Sequence, residues 1–381
     1  MAHRFFMPSL NLFGEGALKD AGYEMKKLGF YKALIVTDKA MVSSNLIKLL
    51  SDVLDENGII YTIFSDVQPN PTTKNVRYGF DMLIKEKCDF VISFGGGSSH
   101  DCAKGIALLA TNGGDVKDYA GLNLPENPQL PLVCVNTTAG TAAEMTIFSV
   151  ITDEKVKMPI ISNMLTPVMS VNDPLTMLSK PKALTSATGM DALTHAIEAY
   201  ISTGASPITD ACALKAISMI AENLETAVNM GQDIQARTNM AYASFMAGMA
   251  FSNAGLGYVH AMAHQLGGFY DLPHGLCNAV LLPHVLHFNA GAAAEKIAEC
   301  GRAMGLEEDK ANPGKSAEMT VRRIAAMNKA IGIPANLSEI GVREGDLPTL
   351  AKNAILDSCA ATNPRKATED EILTIFKAAM F

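Results

Sequence analysis

Apolar residues fall in two rhythms along this chain, and the change of rhythm divides it. In the first half, short β-branched runs alternate with stretches that carry apolar side chains at helical spacing. Residues 33–37 (ALIVT), 59–64, 89–94 (DFVISF) and 131–136 (PLVCVN) read as strands. Residues 42–57 place Val42, Leu46, Leu49, Leu50, Val53 and Leu54 on one helical face, and Asn57-Gly58 supplies a stop. QPNPTT at 68–73 is a loop, with Thr72 or Thr73 as cap of the next helix. Another helical pattern follows GGGSS at 95–99. Strands separated by helices predict βαβ units and a parallel sheet. From Lys182 onward the pattern is almost all helical, and AVLLPHVL at 279–286 reads as buried helix despite its proline. The expected organisation is an α/β domain over 1–174 and an all-α domain over 175–381, with the boundary in SVNDP at 170–174.

Composition removes several classes of function. With 381 residues, 48% hydrophobic and 18% charged, the chain has ample core material for two domains. A net charge of −8 and the lack of a basic run exclude a general nucleic-acid surface. Seven scattered cysteines, odd in number and without a C-x-x-C, read as reduced thiols of a cytoplasmic protein. The start lacks a signal-peptide apolar core, and no run is long enough to span a membrane, so no membrane partner is expected.

Candidate chemistry sits at two kinds of place. Gly95, Gly96, Gly97 and Ser98 lie between a strand and a helix, where backbone can approach an anion and a helix N-terminus offers free N–H groups. The triplet lacks the G-x-G-x-x-G pattern, and a tight turn would explain it equally well. Thr137, Thr138 and Thr141 follow the next strand in the same way and favour phosphate or ribose contacts. Asp38 ends ALIVT where a ribose-binding carboxylate would sit, which favours NAD over NADP; it is equally placed to cap a helix. In the second half, Asp191 and His195 are four apart, as are His260 and His264, and His274 follows a turn at 271–273. One carboxylate with two or three imidazoles is a ligand set for Fe(II) or Zn(II), although core histidines account for the spacing about as well.

Longer signatures surround these residues: QPNPT at 68–72, GGGSSHDCAKG at 95–105, NTTAGTAAEMT at 136–146, NDP at 172–174, ATGMDALTHAIEAY at 187–200, GYVHAMAHQLGGFYDLPHG at 257–275 and NAVLLPHV at 278–285. In these the chain resembles the iron-dependent (group III) alcohol dehydrogenases over nearly its whole length, most closely the branch of ethanol and 1,3-propanediol dehydrogenases and lactaldehyde reductases. The resemblance implies the dehydroquinate synthase-like fold, with a dinucleotide-binding α/β domain, a helical metal-binding domain and the active site in the cleft. It implies metal ligands at Asp191, His195, His260 and His274, with His264 as a proton-relay or substrate-contacting residue. NAD would lie on Gly95, Gly96, Gly97 and Ser98, with Asp38 at the adenosine ribose and further contacts from Asn70, Thr137, Thr138 and Thr141.

The implied reaction is hydride transfer between NAD(H) and a small primary alcohol or aldehyde, by a homodimer or larger homo-oligomer. A reductase of a functionalised aldehyde (lactaldehyde, 3-hydroxypropanal or a sulfonated aldehyde) is the alternative. A lyase like dehydroquinate synthase fits less well, because no Lys/Arg cluster surrounds the ligand segments. Two departures stand out. Ser99 replaces the family's proline after GGGS. The segment 154–166 is shorter than in relatives, which loosens any transfer of substrate identity. An apolar Phe148, with Phe251, would suit a plain alkyl chain.

Overall fold

The computed structural model describes residues 4–154, 156–307 and 309–381. It divides into two compact units, Phe5–Ser179 and Lys180–Phe381, the latter with Arg4.

The first unit is built on a six-stranded, all-parallel sheet with strands in the order β1-β9-β6-β4-β2-β3. These are β1 (Leu10–Phe13), β2 (Lys32–Asp38), β3 (Ile60–Val67), β4 (Phe90–Gly95), β6 (Leu132–Asn136) and β9 (Met169–Asn172). Between them lie α1 (Ala17–Lys27), α2 (Lys39–Ser43), α3 (Lys48–Asn57), α4 (Thr73–Glu86) and α5 (Gly97–Asn112). Leu34 and Val36 of β2 point into a core shared with Val76 of α4 and Ile106 of α5. Ala33 and Ile35 point the other way, against Ala21 and Met25 of α1 and Leu50 and Leu54 of α3. With helices on both faces, β4, β6 and β9 are buried at every residue and β2 from Ala33 to Thr37, which is why the central strands read as unbroken apolar runs.

Sequence expectation and structure differ in two ways here. The helix expected over 42–57 is broken: Asn45 adopts a left-handed φ of 61°, so α2 ends and α3 starts anew. Ile47 and Leu50 then enter the core, while Val42 and Leu49 face solvent at 40% exposure each. The strand pattern also missed the two short strands on the far side of the sheet, β1 and β9, and a separate small sheet. That sheet comprises β5 (Gly121–Leu122), β7 (Phe148–Asp153) and β8 (Val156–Ile161), in the order β5-β8-β7, with β7 and β8 antiparallel. It carries much of the divergent 154–166 segment. It is fastened to the main layer by Thr152 N–H, which donates to Pro71 O at 2.8 Å, and by the Lys104 ammonium, which donates to the carbonyls of Thr146 and Phe148.

The second unit is helical: α6 (Lys182–Ile201), α7 (Pro207–Asn229), α8 (Ile234–Ala254), α9 (Tyr258–Tyr270), α10 (His274–Ala303), α11 (Pro313–Ala330), α12 (Leu347–Leu356) and α13 (Glu369–Ala378). Residues 189–201 of α6 are all buried, and α7, α8 and α10 pack around it. A helix that is apolar on every side belongs in the middle of a bundle. The helix expected over 279–286 lies inside α10, with Pro283 within it. Gly275 brings the start of α10 hard against α6. A Cβ there would collide with the Ala187 carbonyl and would stand 3.2 Å from Cβ of Asp191.

Candidate active site

Asp191, His195 and Glu198 occupy positions i, i+4 and i+7 of α6, so one stripe of a buried helix carries all three. Gly257 caps the N-terminus of α9 without a side chain, and Glu198 supplies the missing acceptor: its Oε1 takes the Val259 N–H at 2.7 Å. The first turn of α9 is thereby anchored on α6, and His260 comes to face Asp191. His274 is the first residue of α10, placed by the left-handed Asp271 (φ 56°) and by Pro273. The donor atoms of Asp191, His195, His260 and His274 all lie within 4.8 Å of one another. Asp191 Oδ1 is 3.7 Å from His260 Nε2 and 3.5 Å from His274 Nε2. A tetrahedral ion with bonds of about 2.1 Å has donor–donor edges of about 3.4 Å, so the cluster has the dimensions of a coordination shell. One carboxylate and three imidazoles suit a borderline divalent ion such as Fe(II) or Zn(II).

The second layer was not read from the sequence. Glu198 Oε2 lies 2.6 Å from His260 Nδ1, so the Nδ1–H donates to the carboxylate and Nε2, facing Asp191, is the nitrogen left for an ion to bind in place of its proton. Burial disfavours a charge on His260, but the carboxylates of Asp191 and Glu198 outweigh it and raise the imidazole to about 9. Burial would lift Asp191, yet the surrounding histidines hold it below the usual carboxylate range. Asn278, one turn after His274, donates from Nδ2 to Asp191 Oδ1 at 2.7 Å and lies 3.1 Å from Nε2 of both His260 and His274. The Phe251 ring stacks on His195 at 4.1 Å between centroids, and His195 stacks in turn on His260 at 4.5 Å. Phe251 therefore backs a candidate ligand.

His264 stands outside the four-donor cluster. Its Nδ1 is 2.9 Å from Asp357 Oδ2, and its ring centroid is 5.4 Å from that of His274. Burial raises the Asp357 carboxyl, but His264 overcomes this and keeps it below the usual range. An ionised Asp357 only accepts, so His264 Nδ1 must donate. Spacing could have flagged Glu198, three residues after His195, and Asn278, four after His274. Asp357 has no local signal, because only tertiary folding brings it to α9.

In the first unit the expected cofactor residues gather along one edge. Asp38 ends β2, Asn70 follows β3, Gly95 ends β4 and Thr137 follows β6, and these four strands are neighbours in the sheet. The carboxyl edge of a parallel sheet is where such folds bind ligands. Gly96 caps α5 with no side-chain acceptor. Cβ atoms at Gly96 and Gly97 would meet Thr138 and Thr141 respectively, each at 3.0 Å, so the two loops interlock with only backbone on the glycine side. Thr137 N–H donates to Gly95 O at 2.9 Å. A bare helix N-terminus in a cradle that excludes side chains fits a pyrophosphate. Asp38 does cap α2, its Oδ1 accepting from Met41 N–H at 2.9 Å. Asn70 holds the left-handed φ of 55° that its loop requires. Ser98 is the second residue of α5, and Ser99 is buried against Gly95. Phe148 is half-buried on β7, a different unit from Phe251.

A parallel sheet with a side-chain-free anion cradle, joined in one chain to a largely buried Asp/His₃ cluster, fits an enzyme that uses a divalent metal and a nucleotide cofactor. Residues 8–174 match the family model of the iron-containing alcohol dehydrogenases, and residues 185–380 match the C-terminal model of the same family. The chain is 51% identical to alcohol dehydrogenase 4 of Schizosaccharomyces pombe, over 99% of this chain and 89% of the relative. It is 47% identical to an NAD-dependent methanol dehydrogenase of Bacillus methanolicus, over 99% of each. A crystal structure of a 1,3-propanediol oxidoreductase superposes with a TM-score of 0.98 at 49% identity, covering all of both chains. The chain belongs to the iron-containing alcohol dehydrogenase family, and its reaction class is alcohol–aldehyde oxidoreduction. Among the described residues, no helix is long and apolar enough to cross a membrane.

Proposed function

We propose that this protein transfers hydride between NAD(H) and a small primary alcohol or aldehyde, with iron(II), or zinc(II), held by Asp191, His195, His260 and His274. The observation that carries this reading is the four-donor cluster with its Nδ1–H···Glu198 support. The ion supplies Lewis acidity toward the substrate oxygen, and NAD supplies the hydride acceptor. The protein does the rest. Glu198 fixes the His260 tautomer, and Asn278 holds Asp191 Oδ1. His264, anchored through Nδ1 on Asp357, takes the hydroxyl proton at Nε2 and passes it to solvent, to which its side chain is 29% exposed. The first unit serves as the NAD domain, with Gly95, Gly96, Gly97 and Ser98 at the pyrophosphate, and Asn70, Thr137, Thr138 and Thr141 as further contacts. Asp38 takes the adenosine ribose hydroxyls and repels a 2′-phosphate. The second unit serves as the metal domain. The same reading makes the protein a cytoplasmic homodimer or larger homo-oligomer, which size-exclusion chromatography with light scattering tests.

The test of substrate class is NADH oxidation against a panel of aldehydes. Highest kcat/KM for propanal or butanal supports the unfunctionalised reading. Highest kcat/KM for 3-hydroxypropanal moves the assignment to the functionalised alternative, which the likeness to a 1,3-propanediol oxidoreductase favours. NADH binding without turnover of any aldehyde overturns the reading.

A further inference from the structure

The loop that supplies Thr137, Thr138 and Thr141 ends in an acidic residue that the reaction does not use. Glu144 has no solvent exposure, and neither of its carboxyl oxygens closes a hydrogen bond. The nearest cation, Lys104, is equally buried and spends its donors on Thr146 O at 2.8 Å, Thr146 Oγ1 at 3.1 Å and Phe148 O at 2.7 Å. The Glu144 carboxyl lies instead beside the side-chain amides of Asn136 and Asn172. Asn136, at the end of β6, is the hub. Its Nδ2 donates to Asn172 Oδ1 at 3.0 Å, and its Oδ1 accepts the Thr138 N–H at 3.0 Å. Thr138 is the side chain that closes on Gly96. Other buried polar atoms without a closed hydrogen bond gather at the same place: Asn172 Nδ2, His100 Nε2 and Thr137 Oγ1.

We propose that Glu144 is a positioning residue for the dinucleotide loops: from beneath the sheet edge it orients the Asn136 amide, and through it seats Thr138 against Gly96. The inference rests on the reading of residues 95–98 and 137–141 as the cofactor site. The Asn136 amide keeps one Nδ2–H beyond the one it gives to Asn172, and the Glu144 carboxyl beside it is placed to accept that hydrogen. Burial pushes the carboxyl up to about 7, while Lys104 and the two amides pull the other way.

The test compares wild type, Glu144→Ala and Glu144→Gln by NADH fluorescence titration, steady-state kinetics and thermal melting. Glu144→Ala should raise the NADH Kd and KM about tenfold with kcat changed less than about twofold. Glu144→Gln, which keeps the shape and a side-chain acceptor for the Asn136 amide, should restore the affinity to within about twofold of wild type. Unchanged NADH affinity in Glu144→Ala, whatever its melting temperature, would overturn the proposal; so would a Glu144→Gln protein that binds NADH as weakly as Glu144→Ala. Gly96→Val separates this from failure of the parent reading. If Gly96→Val binds NADH normally, the cofactor lies elsewhere, irrespective of what Glu144 variants do.

Discussion

The two units reach binding chemistry by opposite routes. In the sheet unit the candidate cofactor site is mostly backbone. Its quality depends on what is missing, namely Cβ atoms at Gly96 and Gly97 where Thr138 and Thr141 stand 3.0 Å away. In the helical unit the site is all side chain: donors from α6, α9 and α10 are aimed by Glu198 and Asn278 behind them. A backbone site is broken by adding atoms at the loop itself. A side-chain site is broken by removing atoms, including those that never touch the ligand. The two should therefore fail separately.

The largest effect is expected from His260→Ala or His274→Ala: loss of stoichiometric metal by elemental analysis, loss of turnover, and an NADH Kd that does not move. A variant with full metal content and full activity would refute the ligand assignment. Glu198→Gln comes next. It keeps an acceptor for the Val259 N–H but weakens the hold on His260 Nδ1, and should lower metal affinity about 10- to 100-fold in a chelator competition. Asp357→Asn should leave metal and NADH binding intact and lower kcat about tenfold or more, because a neutral amide holds His264 Nδ1–H more weakly and can turn its NH2 to the ring, which loosens the tautomer. The smallest effect sharpens the sheet side. Asn is as good a helix cap as Asp, so Asp38→Asn should leave the melting temperature unchanged while narrowing the preference for NADH over NADPH. If instead it melts early with preference intact, Asp38 is only a cap.

The same contrast governs what can be read without coordinates. Strands β2, β4 and β6 are legible because both faces are buried and the runs are continuous; β3, at the sheet edge, is legible from its aromatic and β-branched residues alone. MSVN of β9 and LNLF of β1 are four residues each, interrupted by polar side chains, and carry no such signal. The hairpin β7–β8 was hidden in the same way, by Ser149, Thr152 and Lys157. The α2–α3 break turns on one left-handed residue, Asn45, inside a stretch whose apolar spacing continues across it. At the site, the Asp191–His195 and His260–His264 pairs are visible because helix spacing is local information. His264 nevertheless diverges from His260, and its partner Asp357 lies on the far side of α12 in the chain. Glu198 is three residues from His195, but a lone acid in an apolar helix gives no hint that it caps a different helix.

The central claim is that a single divalent ion on Asp191, His195, His260 and His274 is required for hydride transfer. The most direct measurement strips the protein with chelator, titrates it anaerobically with Fe(II), and follows bound metal and aldehyde-dependent NADH oxidation together. The account predicts no turnover in the stripped protein and activity rising linearly to a break at one ion per chain. Undiminished turnover after stripping, or activity recovered without any metal taken up, would contradict it.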